Sequence, residues 1–113
     1  MAALLLLNGA YSVAAPPSII EAIKGENLAQ ARTLIDNKVD VNEPQADGAT
    51  ALHWAVHRNN LDAVRMLIAA GAEVDAVNDF GVNPLWLACE NRNADAAKLL
   101  LEAGADPNSA MMT

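Results

Sequence analysis

The feature that most limits what this chain can fold into is a period. Gly48 and Gly81 stand 33 residues apart, and so do Gly71 and Gly104. On that step, DGATALHWAVHRNNLDAVRMLIAAGAEVDAVN falls on FGVNPLWLACENRNADAAKLLLEAGADPNSAM. Leu52 meets Leu85, Ala55 meets Ala88, Leu67 meets Leu100 and Ala72 meets Ala105, while Asn59 pairs with Asn93 one position out of step. One step back lies a weaker copy, SIIEAIKGENLAQARTLIDNKVDVNEPQ, which places Ile19, Ala22, Leu28, Arg32 and Leu34 on Leu52, Ala55, Leu61, Arg65 and Leu67. A fixed period of this length marks a stacked array whose units are each too small to bury an apolar face alone.

Each unit reads as two short helices and a loop. Thr50 is placed to cap a first helix through its hydroxyl, and Asn83 through its amide oxygen with Pro84 at the first helical position. The second helices carry one apolar stripe: Leu28, Ala31, Leu34, Ile35; Leu61, Val64, Leu67, Ile68; Ala94, Ala97, Leu100, Leu101. Gly71 and Gly104 follow, where a left-handed residue ends a helix. Composition agrees. The chain is 53% hydrophobic but only 4% aromatic, and a core rich in alanine and leucine favours close-packed helices over sheets. At 113 residues there is room for one domain. A net charge of −7 lacks the basic footprint of a nucleic-acid binder and gives no attraction to anionic membranes. Cys89 is the only cysteine, so no internal disulfide framework exists.

The first 20 residues, MAALLLLNGAYSVAAPPSII, contain no charged side chain. The apolar run from Ala2 to Leu7 is followed by small residues with the spacing of a secretory cleavage site near Ser12-Val13-Ala14-Ala15. No Lys or Arg follows Met1, and the stretch is too short for a transmembrane helix. Residues 1–14 are therefore read as a leader, a signal peptide, complete or with its true start upstream, with an apolar cap on the fold as the alternative.

The segments G-A-T-A-L-H-W-A and L-I-A-A-G-A-E-V-D resemble the ankyrin repeat, whose hallmark is G-x-T-P-L-H-x-A-A followed by L-L-x-x-G-A-D-V-N. LLLEAGADPN at 99–108 is similar to the same consensus, and the resemblance spans about 15–113. It implies an all-α ankyrin-repeat solenoid of stacked helix-turn-helix units with finger loops. The units fall at about 15–47, 48–80 and 81–113, the first of them divergent. Ala51 departs from the motif's proline, and Asn83 and Trp86 from its threonine and histidine. Lys38 stands where a glycine is expected, at a cost of about 1 kcal/mol if the position is left-handed. The next glycine of the series would fall just past Thr113, so the array is expected to continue, and Leu99, Leu100 and Leu101 to lack a polar cover.

His53 and His57, four residues apart on one helical face, invite a zinc reading. The resemblance redirects it. His53 is the histidine of the T-x-L-H word, which in the family hydrogen-bonds locally, and His57 aligns with the variable Lys24 and Glu90. No third ligand has recognisable spacing, so a zinc-dependent hydrolase using His53 and His57 stays a minor alternative. Trp54 and Trp86 are read as packing first and as binding anchors second. Phe80, the only phenylalanine, stands at a finger tip and is equally open to binding or packing. Cys89 takes the place of Val56 and Ile23 and is expected to be a small buried hydrophobe. The loop carboxylates Asp36, Asp40, Glu43, Asp47, Glu73, Asp75 and Asp79 match no calcium loop and are read as solvated charge.

The resemblance implies a non-catalytic module that binds another protein through its concave face and finger loops. The family's surface falls on Asp47, Ala49, His57 and Arg58 in the middle unit, and on Asp79, Phe80, Val82, Glu90 and Asn91 in the last. A partner with basic and apolar patches suits that mixture. No cofactor, nucleic acid, small-molecule substrate or stable membrane span is implied. The alternative is an N-terminal scaffold or targeting segment of a larger exported ankyrin protein. If the leader is a signal, protein from the envelope or medium starts near Ala15 on N-terminal sequencing. An intact Met1 end on cytoplasmic protein contradicts export.

Overall fold

The computed structural model describes residues 18–110, so the leader expected over 1–14 and the start of any further unit lie outside the described residues. Among the described residues six α-helices follow one another in three pairs. They are α1 (Ile19–Lys24) with α2 (Leu28–Asp36), α3 (Ala51–His57) with α4 (Leu61–Ala69), and α5 (Pro84–Glu90) with α6 (Ala94–Glu102). A 3-10 turn at Pro107–Ala110 closes against α5. No strand occurs among the described residues. The first helices form one continuous row, α3 lying between α1 and α5, and α4 packs on α6 in the second row. This is the all-α stack that the 33-residue period implies.

The second helices all start in the same way. Asn27, Asn60 and Asn93 each accept the backbone N–H three residues on, at 3.1, 3.1 and 3.0 Å. Asn60 is therefore the counterpart of Asn93, and the pairing of Asn59 with Asn93 is corrected. Asn59 instead shares its register with Glu26 and Arg92, and all three turn the chain at φ of 55–56°. Thr50 also departs from expectation. Its hydroxyl stands in a capping-box arrangement over α3, but its close partner is the His53 ring, 3.0 Å away, rather than a backbone N–H. Asn83 does cap α5, accepting from the Trp86 N–H at 2.8 Å.

Side chains from all three pairs fill the core. Ile23, Leu52, Val56, Val64, Leu67 and Leu100 are at most 1% exposed. Ala22, Ala31, Ala55, Ala63, Ala88 and Ala96 lie between them and let the helix backbones approach closely. Truncating Leu52 or Leu67 to alanine removes about 2–5 kcal/mol in such a setting. Cys89 is exposed, against the expectation of burial. Val56 is covered by the pair that follows it, whereas Cys89 sits on the end face of the described stack, beside Ala94 and Ala97. Of the three leucines expected to be open, only Leu101 is, at 43% exposed; Leu100 points into the stack and Leu99 is half-buried.

Two backbone positions carry energetic consequences. Lys38 has φ 66°, in register with Gly71 at 95° and Gly104 at 104°, so a side chain occupies a left-handed site. Gly48 has φ 86°, and a Cβ there would stand 3.1 Å from the Asp79 backbone nitrogen and 3.2 Å from the Asn78 Cα. Lys38→Gly is expected to raise stability by about 1 kcal/mol in urea unfolding. Gly48→Ala is expected to cost more than Gly71→Ala, where nothing lies within 4 Å of the added carbon. Equal losses at the two glycines contradict the close approach of the fingers.

Candidate functional site

Two finger loops project from the stack, one between α2 and α3 and one between α4 and α5. Each is closed by its own backbone. In the first, the Gln45 N–H donates to the Ala49 carbonyl at 2.8 Å and the Gly48 N–H to the Gln45 carbonyl at 2.9 Å. In the second, the Asn78 and Gly81 N–H groups do the same to Val82 and Asn78 at 3.0 Å each. Side chains hold the tips by different means. Asp47 Oδ1 accepts the Ala49 N–H at 3.0 Å and the Gln45 amide at 2.9 Å. Asn78 Oδ1 accepts the Phe80 and Val82 N–H groups at 2.9 and 3.0 Å. The fingers are joined to each other where the Asp79 N–H donates to the Asp47 carbonyl at 2.8 Å.

His53 ties this surface to the scaffold. Its Nδ1 receives the Thr50 backbone N–H at 3.0 Å, and its Nε2 lies 2.9 Å from the Val82 carbonyl of the next unit. A backbone N–H only donates and a carbonyl only accepts. The ring is therefore neutral, with its proton on Nε2. Burial pushes its pKa below the usual 6.5, against the opposing pulls of the Val82 carbonyl and Asp47. Both ring nitrogens are committed, so His53 has no lone pair to offer a metal, and the zinc reading loses its first ligand. Among the described residues no three His, Cys, Asp or Glu side chains converge on a common point.

The proposed contact residues separate into three groups. His57 and Arg58 at the end of α3, Asp79 and Phe80 on the second finger, and Glu90 at the end of α5 are exposed, Phe80 at 77%. Asp47 and Val82 are half-buried. Ala49 and Asn91 also serve the scaffold. Ala49 is 7% exposed because its backbone closes the first finger. Asn91 turns its amide back onto the end of α3, donating to Val56 and His57 carbonyls at 3.3 and 3.4 Å, and so bridges units. Asp47 and His57 are brought together in one cleft with Gln45, Trp54, Asn78 and Leu87. Gln45 and Leu87 escaped the reading of the sequence. The only signal for Gln45 was its register with Asn78, at the foot of the next finger.

Charge is unevenly placed. The loops hold Asp40, Glu43, Asp47, Glu73, Asp75, Asp79 and Asp106 against Lys38 alone, half of the 14 carboxylates with one of the 7 cations. The helices and their tight turns are close to neutral. Not all of this is solvated charge. Both Asp75 oxygens lie within 3.3 Å of the Asp106 N–H, and Asn42, in the same register, accepts the Glu73 N–H at 2.7 Å and donates to the Gly71 carbonyl at 3.1 Å. These side chains join each loop to the next. The Ala49 N–H, then Gln45, hold the Asp47 carboxyl below its usual 3.8, so it is charged at neutral pH.

A family model described as ankyrin repeats (3 copies) matches residues 19–111. No curated protein matches the chain. Among the described residues no helix is long and apolar enough to cross a membrane.

The His53 geometry sets a pH dependence. As pH falls through 6.5 the unfolded chain takes up a proton that the buried folded ring cannot accept at Nδ1 without facing the Thr50 backbone N–H, so stability is lost. The slope is up to about 1.4 kcal/mol per pH unit. Asp47 acts in a separate, lower window, its contribution being lost only as pH falls below 3.8. Urea unfolding between pH 7 and about pH 5 is expected to show the loss in the wild type and a flatter profile in His53→Gln. Parallel profiles contradict a neutral, backbone-bound ring.

Proposed function

We propose that this chain, which belongs to the ankyrin repeat family, binds another protein through its finger tips and the exposed ends of its first helices. The family is generally one of protein–protein interaction modules and is generally non-catalytic. The observation that carries the finer reading is the second finger. Phe80 and Val77 stand 77% and 57% exposed on a loop pinned by the Asn78–Val82 and Gly81–Asn78 backbone bonds, by the Asn78 side chain and by the Asp79–Asp47 bond to the first finger. Neighbouring solvent-facing apolar side chains on a fixed support are what a partner-binding surface needs.

His57, Arg58 and Glu90 extend the surface along the first helices, and Asp47 and Asp79 give its fingers negative charge. A partner offering basic and apolar groups together fits this arrangement. The contact residues of this reading are Asp47, His57, Arg58, Asp79, Phe80, Val82 and Glu90. If the leader directs export, the partner is met outside the cytoplasm.

Affinity capture with the wild-type chain, Phe80→Ala and Arg58→Ala tests the surface. Phe80→Ala is expected to lower retention of the captured partner by about ten-fold or more, as a central aromatic contact does. Arg58→Ala, at the rim, is expected to act more weakly and mainly through the on-rate. Unchanged capture by both variants rejects this surface.

A further inference from the structure

We infer that the cleft beside Trp54 is a socket for one cationic side chain of the bound protein, and that Phe80 and Val77 receive the apolar residue next to it. The inference rests on the concave face being the binding surface, and it states what that face selects.

The cleft measures about 170 Å³. That is too small for a whole ligand, since such sites run to about 300–1,000 Å³, but it suits a single long side chain. Its walls have two characters. Leu87 and the Trp54 ring are apolar and half-buried, which suits a methylene stem. At the finger side stands Asp47. Its Oδ1 is taken by Ala49 and Gln45, while its Oδ2 accepts from no described donor and is left for an incoming charge. The groups are also preorganised. The Trp54 indole N–H donates to Gln45 Oε1 at 3.2 Å, and the Gln45 amide donates to Asp47 at 2.9 Å. Indole, amide and carboxylate thus form one fixed line, and little is left to order on binding.

The Trp54 ring also meets a cation of the chain itself, from outside the cleft lining. The Lys24 ammonium already sits 4.8 Å from the centre of the Trp54 ring. The indole therefore accommodates a cation from within the chain, as its quadrupole favours. An anionic side chain would meet Asp47 and the negative loops, and a neutral one would leave Asp47 Oδ2 desolvated without a partner. Asn78 lines the cleft, and the exposed Val77 and Phe80 lie one and two residues from it on the same finger. A segment with a basic residue beside an apolar one reaches both.

The test is a titration of the isotope-labelled chain with a capped Gly-Leu-Arg-Leu-Gly peptide, followed by the Trp54 indole N–H and Ala49 amide signals. Two control peptides replace arginine by citrulline or by glutamate. Expected are saturable shifts at these two signals with the arginine peptide, and binding at least about ten-fold weaker for citrulline, which keeps shape but loses charge. Asp47→Asn keeps an oxygen for the Ala49 N–H and so preserves the finger; it is expected to remove the preference for arginine over citrulline. Phe80→Ala, at an exposed position, is expected to weaken the arginine peptide by about three-fold or more. Equal binding of arginine and citrulline peptides, tighter binding of the glutamate peptide, shifts confined to α2, α4 and α6, or no saturation below about 10 mM overturns the socket. If partner capture persists while the socket fails, the surface stands and only its selectivity is lost; if both fail, so does the surface.

Discussion

Everything in this molecule depends on one constraint: a pair of helices of six to nine residues cannot bury its own apolar stripe. Helices this short are marginal alone, so they persist only where neighbours cover them. Val56 and Leu67 are fully buried because each pair is seated against the next. Polar groups then set the register of the stack. His53 reaches the Val82 carbonyl, Asn42 and Asp75 hold the backbone of the following loop, and Asn91 and Asn93 return to the end of α3. Nearly all these bonds end on backbone groups, which cannot swing away. The result is a stiff frame that presents its fingers in a fixed row.

That stiffness gives the surface its meaning. An exposed phenylalanine on a loose loop would fold back on its own chain. On the second finger it is held out by bonds at both sides of the tip, so its apolar area stays open to a partner. The acidic loops matter in the same way. Net charge of −7 spread evenly would only aid solubility, but here half of the carboxylates fall in the loops, with Asp47 and Asp79 at the fingers themselves. Attraction and selectivity then arise at the same edge of the molecule.

Much of this was legible in the sequence, because a repeat states each position several times. The 33-residue step shows the helix pairs and the left-handed positions, and the resemblance to the ankyrin repeat implies the local role of His53. What escaped belongs to contacts between units, which no single unit shows. Ala49 was read as surface because it sits at a finger, yet the finger's own hydrogen bonds enclose it. Asn91 lies on the family's contact surface, and its bridge to α3 shows only when the units stack. Asn59 resembles Asn93 by residue type, whereas the cap is Asn60; matching identity instead of register hid a three-fold helix start. Cys89 aligns with buried residues but lies on an end face. The Trp54 cleft was invisible for the same reason, since Gln45, Trp54 and Leu87 are distant in sequence and meet only when the units stack.

The central claim is that a partner is gripped by the fingers and first helices of a rigid stack. Hydroxyl-radical footprinting of the chain with and without its captured partner tests that side chain by side chain. The account predicts that Phe80, Trp54 and His57 become protected while Met66 on α4 and Leu101 on α6 keep their reactivity. Protection of Met66 and Leu101, with Phe80 still reactive in the complex, would contradict it.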